Sequence, residues 1–343
     1  MPHHPLTRRA SLALLAAAAL PRAQADTPPW KPGKPEFIVP SGAGAALDSA
    51  ARKLTDLLAR EGLTESFVVS NRSGAHSIQA LETLQRQGGN ASLLMTLSSG
   101  YVTSVAQGAL SPRLQEITPL VTLLREFTTV AVRADAPIRD AAGLIATLRR
   151  DPGALSIGIA TTLGNHIHLG IAQPLQQAGV AVRGLRVVPY KSSAESAAAL
   201  VGGHLDVVSA TTPNLLPYLQ NQRVRVLAIA ADERLGGAFA DAPTWKEQGV
   251  DYVSQSFQGV ATTAGITPQQ QAFWVQAFAQ VTRLPEWQAF LALNQWKPHF
   301  LGPQQTQAAL QQQIAQTRAL LATLGLDGAD AAGQAAAGTA QRS

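Results

Sequence analysis

The sequence predicts an α/β protein built as two doubly wound lobes. Three observations predict it. Short apolar runs with strand character alternate with helically periodic stretches along nearly the whole chain, the pattern of parallel strands covered by helices on both faces. The alternating span is roughly 300 residues long, more than one small sheet accommodates. No segment repeats at a fixed period, which argues against a solenoid or propeller.

The elements follow in order. Residues 36–39, Glu-Phe-Ile-Val, form a short apolar strand ended by Pro40 and a small-residue loop. A helix over 48–61 places Ala51, Leu54, Leu57 and Leu58 on one face. Residues 67–69 form a second strand, Asn71 to Ala75 a turn, and 78–86 a helix. Residues 92–96 form a third strand. Further along, the strand 156–160 precedes a helix over 168–178, and 187–190 leads into a helix over 194–200. Residues 207–210 and 224–229 are strands.

The ends read differently. Arg8 and Arg9 precede an apolar run from Ala10 to Leu20, and Ala23-Gln24-Ala25 follows. A charged region, an apolar region and an A-x-A site in that order mark a signal peptide over 1–25, by the general or the twin-arginine route. The apolar run is too short to span a bilayer of roughly 30 Å. Residues 327–343 carry no aromatic and no apolar periodicity and read as a disordered tail.

Removing the leader takes Arg8, Arg9 and Arg22 from the 27 basic residues, leaving 24 against 22 acidic, a net charge of +2. No Lys/Arg block remains to suggest a nucleic-acid footprint. The chain has no cysteine, which excludes disulfides and thiolate metal sites. An exported, soluble protein held together by its core is the expectation.

In open α/β sheets, ligands lie beyond the carboxyl ends of the strands, where helices begin. Four strand-to-helix loops are rich in small and hydroxyl residues: Ser41 to Ala46, Ser98 to Gly100, Thr161 to Asn165, and Ser209 to Asn214. Small residues admit a ligand to backbone N–H groups, and a helix N-terminus adds partial positive charge suited to a carboxylate. The same residue types also serve ordinary turns and N-caps.

Several motifs, in order and spacing, resemble one family. Val188-Pro189-Tyr190-Lys191, Gly202-Gly203-His204-Leu205-Asp206 and Arg223 to Ala228 with Arg234 come first. Asp241-Ala242-Pro243-Thr244-Trp245-Lys246-Glu247-Gln248-Gly249 closes the run. Asn71-Arg72-Ser73-Gly74-Ala75, Leu163 to Leu169 and Pro285-Glu286-Trp287 add to it. The chain from about Phe37 to Leu326 resembles the tripartite tricarboxylate transporter substrate-binding receptors, the Bug-type proteins of beta-proteobacteria.

That resemblance implies a type II periplasmic binding protein, with two α/β lobes joined by two crossover strands and a ligand cleft between them. It implies one lobe from 26–130 plus 260–326 and the other from 131–259. It implies a monomeric periplasmic receptor that captures a small organic acid and delivers it to membrane permease subunits or a sensor kinase. The family's carboxylate-binding loop corresponds to Gly42-Ala43-Gly44-Ala45-Ala46-Leu47-Asp48 with Arg52. Here alanines stand for two of the usual glycines, Ala43 for a proline, and Phe257-Gln258-Gly259 for a usual Trp-Arg-Gly. Loss of that arginine removes a potential bidentate partner for a carboxylate.

The expected ligand contacts follow. Ala43, Gly44, Ala45, Ala46 and Leu47 offer backbone N–H groups, and Ser98 and Ser99 hydroxyls, from the first lobe. Asp48 caps its helix or holds a water. Thr161, Thr162, Gly164, Asn165, His168, Ser209, Thr211 and Thr212 approach from the second lobe, and Phe257 and Gln258 from a crossover. His166 and His168 form an H-x-H pair without a nearby third ligand, so no metal or cofactor is expected. Lys191 and the glutamines from Gln304 to Gln313 read as solvated, and the tryptophans as packing. No G-x-S-x-G, P-loop or H-E-x-x-H motif occurs. A hydrolase would have to assemble residues such as Ser98, His168 and Asp206 from distant loops. A second alternative is a ligand-independent signalling partner of a sensor kinase.

Overall fold

A computed structural model describes residues 30–326 except 255. The signal peptide expected at 1–25 and the tail expected at 327–343 lie outside the described residues. Among the described residues no helix is long and apolar enough to cross a membrane.

The chain runs β1 (Glu36–Val39), α1 (Ala46–Arg60), β2 (Val68–Asn71), α2 (Ile78–Gln85), β3 (Leu93–Ser98), α3 (Ser99–Ala106) and β4 (Ile117–Arg125). It then enters a second sheet through β5 (Thr128–Arg133), α4 (Ala141–Arg150), β6 (Ser156–Ala160), α5 (His166–Gln177) and β7 (Arg186–Tyr190). That lobe continues with α6 (Ser193–Val201), β8 (Val207–Thr211), α7 (Thr212–Gln220) and β9 (Val224–Ile229). The return consists of β10 (Phe257–Thr263), α8 (Pro268–Val281), α9 (Pro285–Leu293), β11 (Lys297–Leu301) and α10 (Pro303–Leu324).

Two sheets result. The first has the order β11-β4-β10-β3-β1-β2 and the second β7-β6-β8-β5-β9. β1 pairs in parallel with both β2 and β3, and β6 with both β7 and β8, as the alternating pattern predicts. The sheets are nevertheless mixed. β10 is antiparallel to β3 and β4, β11 to β4, and β5 to β8 and β9. A strand that has just crossed from one sheet enters the next from the opposite end, so it runs against its neighbours.

β5 belongs whole to the second sheet and β10 whole to the first. Sheet membership therefore changes between Arg125 and Thr128 and again before Phe257, ahead of the borders expected at 130/131 and 259/260. The last turn of α10 also differs from expectation. Leu321, Leu324 and Leu326 are buried in the second lobe's core with Leu144, Ile171 and Leu175. Arg183 donates to the Thr323 and Ala322 carbonyls at the helix end. The start of α10 stays with the first lobe, where Leu310 packs with Met95, Val102 and Phe257.

Each helix buries the stripe its periodicity offers. On α1, Ala51, Leu54, Leu57 and Leu58 face the first sheet, as their spacing predicts. Trp274 on α8 stacks on Phe278 at 5.6 Å and donates its indole N–H to the Ala91 carbonyl. Trp245, Trp274, Trp287 and Trp296 are all buried in packing roles. Gly259 is required where β10 meets β4, because a Cβ there would lie 2.2 Å from the Val121 carbonyl oxygen.

Candidate functional site

Between the lobes lies an open cavity of about 830 Å³, within the range of small-molecule sites. Its walls come from both lobes and from the segments joining them. Ser99, Val102 and Thr103 on one face of α3 supply the first lobe's wall. His166, Leu169, Gln173, Gln176 and Gln177 on one face of α5 supply the second. Arg125, residues 251–254 and Ser256 form the floor, and Gln313, Gln316 and Thr317 of α10 close the side.

The floor is polar and lies where the chain passes between the two sheets. Glu126 directly follows β4, and its N–H donates to the Ser256 carbonyl. Its buried carboxylate accepts from Gln258 Nε2 at 3.0 Å. Burial pushes this carboxyl up to about 7, with the Gln258 N–H opposing. His166 Nε2 lies 3.9 Å from Glu126 Oε1. His166 Nδ1 and Gln258 Oε1 are buried with no partner among the described residues. Burial lowers His166 to about 4, so the ring is neutral at physiological pH.

The expected site residues fall into three groups. Ser99 is the one that lines the cavity; its hydroxyl accepts from the Phe257 N–H at 3.1 Å. Ser98, Phe257 and Gln258 surround this floor, on paired strand ends where Gln258 opposes Ser98. Phe257 lines a small neighbouring void with Arg125 and Thr306, and Leu47 lines another with Gln258.

A second group forms the loop after β1. Ala43 and Gly44 are exposed, Ala45, Ala46 and Leu47 half-buried, and Asp48 buried. The Asp48 carboxylate is fully used by the chain. It accepts from the Gly44 N–H at 2.8 Å, from Arg52 Nε at 2.9 Å and from Asn71 Nδ2 at 2.9 Å. Burial opposes its ionisation, but Arg52, Gly44 and Asn71 hold the carboxyl below its usual value. Asp48 and Arg52 thus tie the loop to α1 and β2. Helices α1, α3 and α7 begin without a side-chain cap at Ala45, Ser98 and Thr211, so their first N–H groups have no such partner.

The third group serves the second lobe itself. Asn165 caps α5 by accepting from the His168 N–H and donates to Thr161 Oγ1. His168 Nδ1 accepts from the Gly164 N–H at 2.9 Å, and burial lowers its pKa to about 4. Gly164 has φ +76, and a Cβ there would meet Gln107 and Leu321. The Ser209 hydroxyl donates to the Ile167 carbonyl, and Thr211 Oγ1 accepts from Asn214. Thr212 donates across to the Asn294 carbonyl of the first lobe. Thr161, with φ +58, and Thr162 are exposed. Their short side chains had signalled ligand contact, but most are spent on caps and inter-element bonds.

Asp206 accepts from the Ser156 hydroxyl at 2.6 Å, while His168 is engaged with Gly164, so the structure does not join Ser98, His168 and Asp206. Among the described residues no group of three His, Cys, Asp or Glu could hold a metal.

Among the cavity residues missed from sequence are Arg125, Ser254, Ser256 and the α5 and α10 glutamines. One signal was available: Arg125 and Glu126 are the only charges between Ile117 and Val132, a run otherwise apolar or hydroxylic. The glutamines from Gln304 to Gln313 were expected in solvent; Gln313 is half-buried at the cavity wall, and Gln316, beyond that range, is exposed there.

The model of the tripartite tricarboxylate transporter family receptor matches residues 50–326. The chain belongs to that family. A protein encoded in the gbd 5′ region of Cupriavidus necator is 27% identical over 92% of this chain and 95% of its own length. BugT of Bordetella pertussis is 27% identical over 71% of this chain and 74% of its own. Solved structures share the two-lobed fold of this family. An R. palustris protein solved with adipate superposes with a TM-score of 0.76 at 23% identity, covering 86% of this chain and 98% of that one. MatC from Rhodopseudomonas palustris, solved with malate, gives 0.69 at 20% identity, covering 84% and 98%.

Proposed function

We propose that this family member is a periplasmic receptor that captures a small carboxylate-bearing solute between its lobes and hands it to membrane permease subunits or a sensor kinase. The observation that carries the reading is the cavity of about 830 Å³ whose wall draws on both lobes and both connections. A ligand there touches α3, α5 and the floor together, so binding is coupled to how the lobes sit on each other. The adipate and malate in the two related structures support a carboxylate. Export by a leader cleaved near Ala25 fits the periplasmic assignment, and lobes bordered near 126 and 256 fit the sheet membership. The uncapped starts of α1, α3 and α7 and the Ser98 and Thr162 hydroxyls are the expected additional polar contacts.

The test is a thermal-shift screen of the chain from Asp26 against mono-, di- and tricarboxylates and aromatic acids. A ligand at a hundredfold its dissociation constant adds about 2.7 kcal/mol, or roughly 2–4 °C for a chain of this size. A panel that leaves a sharp transition unmoved overturns the carboxylate-receptor reading.

A further inference from the structure

Among the described residues the cavity wall holds equal numbers of cations and carboxylates, but one cation stands outside the ion pairs. Four charged side chains stand in its wall: Arg125, Lys246, Asp232 and Asp251. Lys246 is paired with Asp251 at 3.4 Å, and Asp232 with Lys297 at 3.5 Å. Among the described residues Arg125 has no carboxylate within 4 Å, and its hydrogen bond runs from Nη2 to the Ser254 carbonyl at 3.2 Å. Its remaining donors form a planar fork suited to a carboxylate. It sits on the floor, opposite Phe257 in the β4–β10 pairing and beside the hydroxyls of Ser99 and Ser256.

The rest of the wall is dominated by amides. Gln173, Gln176 and Gln177 on α5 and Gln313 and Gln316 on α10 line the cavity, and none bonds its side chain to another described residue. A primary amide both donates and accepts, so this wall matches a ligand body that presents both, such as a chain of hydroxyls. An unsubstituted alkyl chain would desolvate those amides without replacing their hydrogen bonds. A second carboxylate would find no unpaired cation in the wall.

We infer that Arg125 is the carboxylate anchor of this cavity and that the ligand is a hydroxylated monocarboxylate of the aldonic-acid class. This rests on the receptor reading above and narrows it. Arg125 holds the single carboxylate against the floor, and the glutamines of α5 and α10 grip the hydroxylated body from opposite sides.

The experiment is calorimetric titration of the chain from Asp26 with gluconate, hexanoate and adipate, repeated on R125Q, R125K and the double variant Q173L/Q313L. Gluconate should bind at least about tenfold more tightly than the other two. R125Q keeps an N–H for the Ser254 carbonyl but loses the fork, and should weaken gluconate about 100-fold. R125K keeps the charge and should lose about tenfold, which covers the case in which R125Q does not fold. Q173L/Q313L should weaken gluconate about tenfold and leave hexanoate unchanged. Tighter adipate than gluconate, or an acid indifferent to both Arg125 variants, overturns this inference while the receptor reading stands. Failure of all carboxylates, in this titration and in the wider screen, removes the receptor reading as well.

Discussion

Glu126, on the connection from β4 to β5, and Gln258, the second residue of β10, are 132 residues apart in sequence and meet through a 3.0 Å hydrogen bond closed to solvent. This contact ties the outgoing and returning chain together where they pass between the two sheets. It also leaves a buried carboxyl without a cation bonded to it, and that has a measurable consequence.

Glu126 is raised to about 7 from an ordinary 4.5. Between those values the folded chain holds a proton that the unfolded chain has lost. Its contribution to stability is therefore present at low pH and lost as pH rises, at about 1.4 kcal/mol per pH unit and on the order of 3 kcal/mol in all. His166 and His168, lowered to about 4, act in the opposite sense, costing stability as pH falls below 6.5. The E126Q variant should thus be more stable than the parent above neutrality. Its stability should also fall more steeply toward acid than the parent's. The Gln258 amide can turn to suit the new partner, since its Oε1 is unpartnered. Urea melts across pH 5 to 8 check this; parallel curves for the two proteins would show that Glu126 does not titrate in that window.

Asp48 should matter to the loop after β1 more than to ligand charge. D48A strands the Gly44 N–H, the Asn71 amide and the Arg52 guanidinium. A loss of about 2 kcal/mol is expected, with faster hydrogen exchange at Gly44. Normal exchange there would show that the loop keeps its shape without the carboxylate.

Two glycine substitutions separate rigid from yielding neighbours. A Cβ at Gly259 meets the Val121 carbonyl oxygen at 2.2 Å, and backbone in a sheet cannot withdraw. G259A should cost about 3 kcal/mol or more. A Cβ at Gly158 meets a methyl of Leu205 at the same 2.2 Å, and that side chain can rotate away. G158A should cost roughly 1 kcal/mol. Equal losses in thermal melts would contradict the distinction.

Leu321 lies in the last turn of α10 but is fully buried in the second lobe. L321A should cost about 2–5 kcal/mol and should loosen α5 before α1 in hydrogen exchange. A loss confined to first-lobe amides would mean that the helix end does not support the second lobe.

Several strands and helices of both sheets were legible because their signals are local. The strands over 36–39, 156–160 and 224–229 have the bounds that their apolar runs predict, and α1 buries the four residues its period marks. The site was legible only as a region. The loops were correctly placed at strand ends, but a Ser, Thr or Asn there looks the same whether it caps a helix, as Asn165 does, or faces a cavity, as Ser99 does.

By itself, then, the sequence determined the alternation of elements, the packing role of its tryptophans and, through spaced motifs, the family. These depend on periodicity and on residues close along the chain. Tertiary structure alone decided that the crossing strands run antiparallel, that α10 ends in the second lobe, and that Arg125, Glu126, His166 and Gln258 converge where the chain passes between the sheets. Those outcomes depend on strand register and helix packing between segments far apart in sequence, and burial then fixes the charge of each group that the fold brings together.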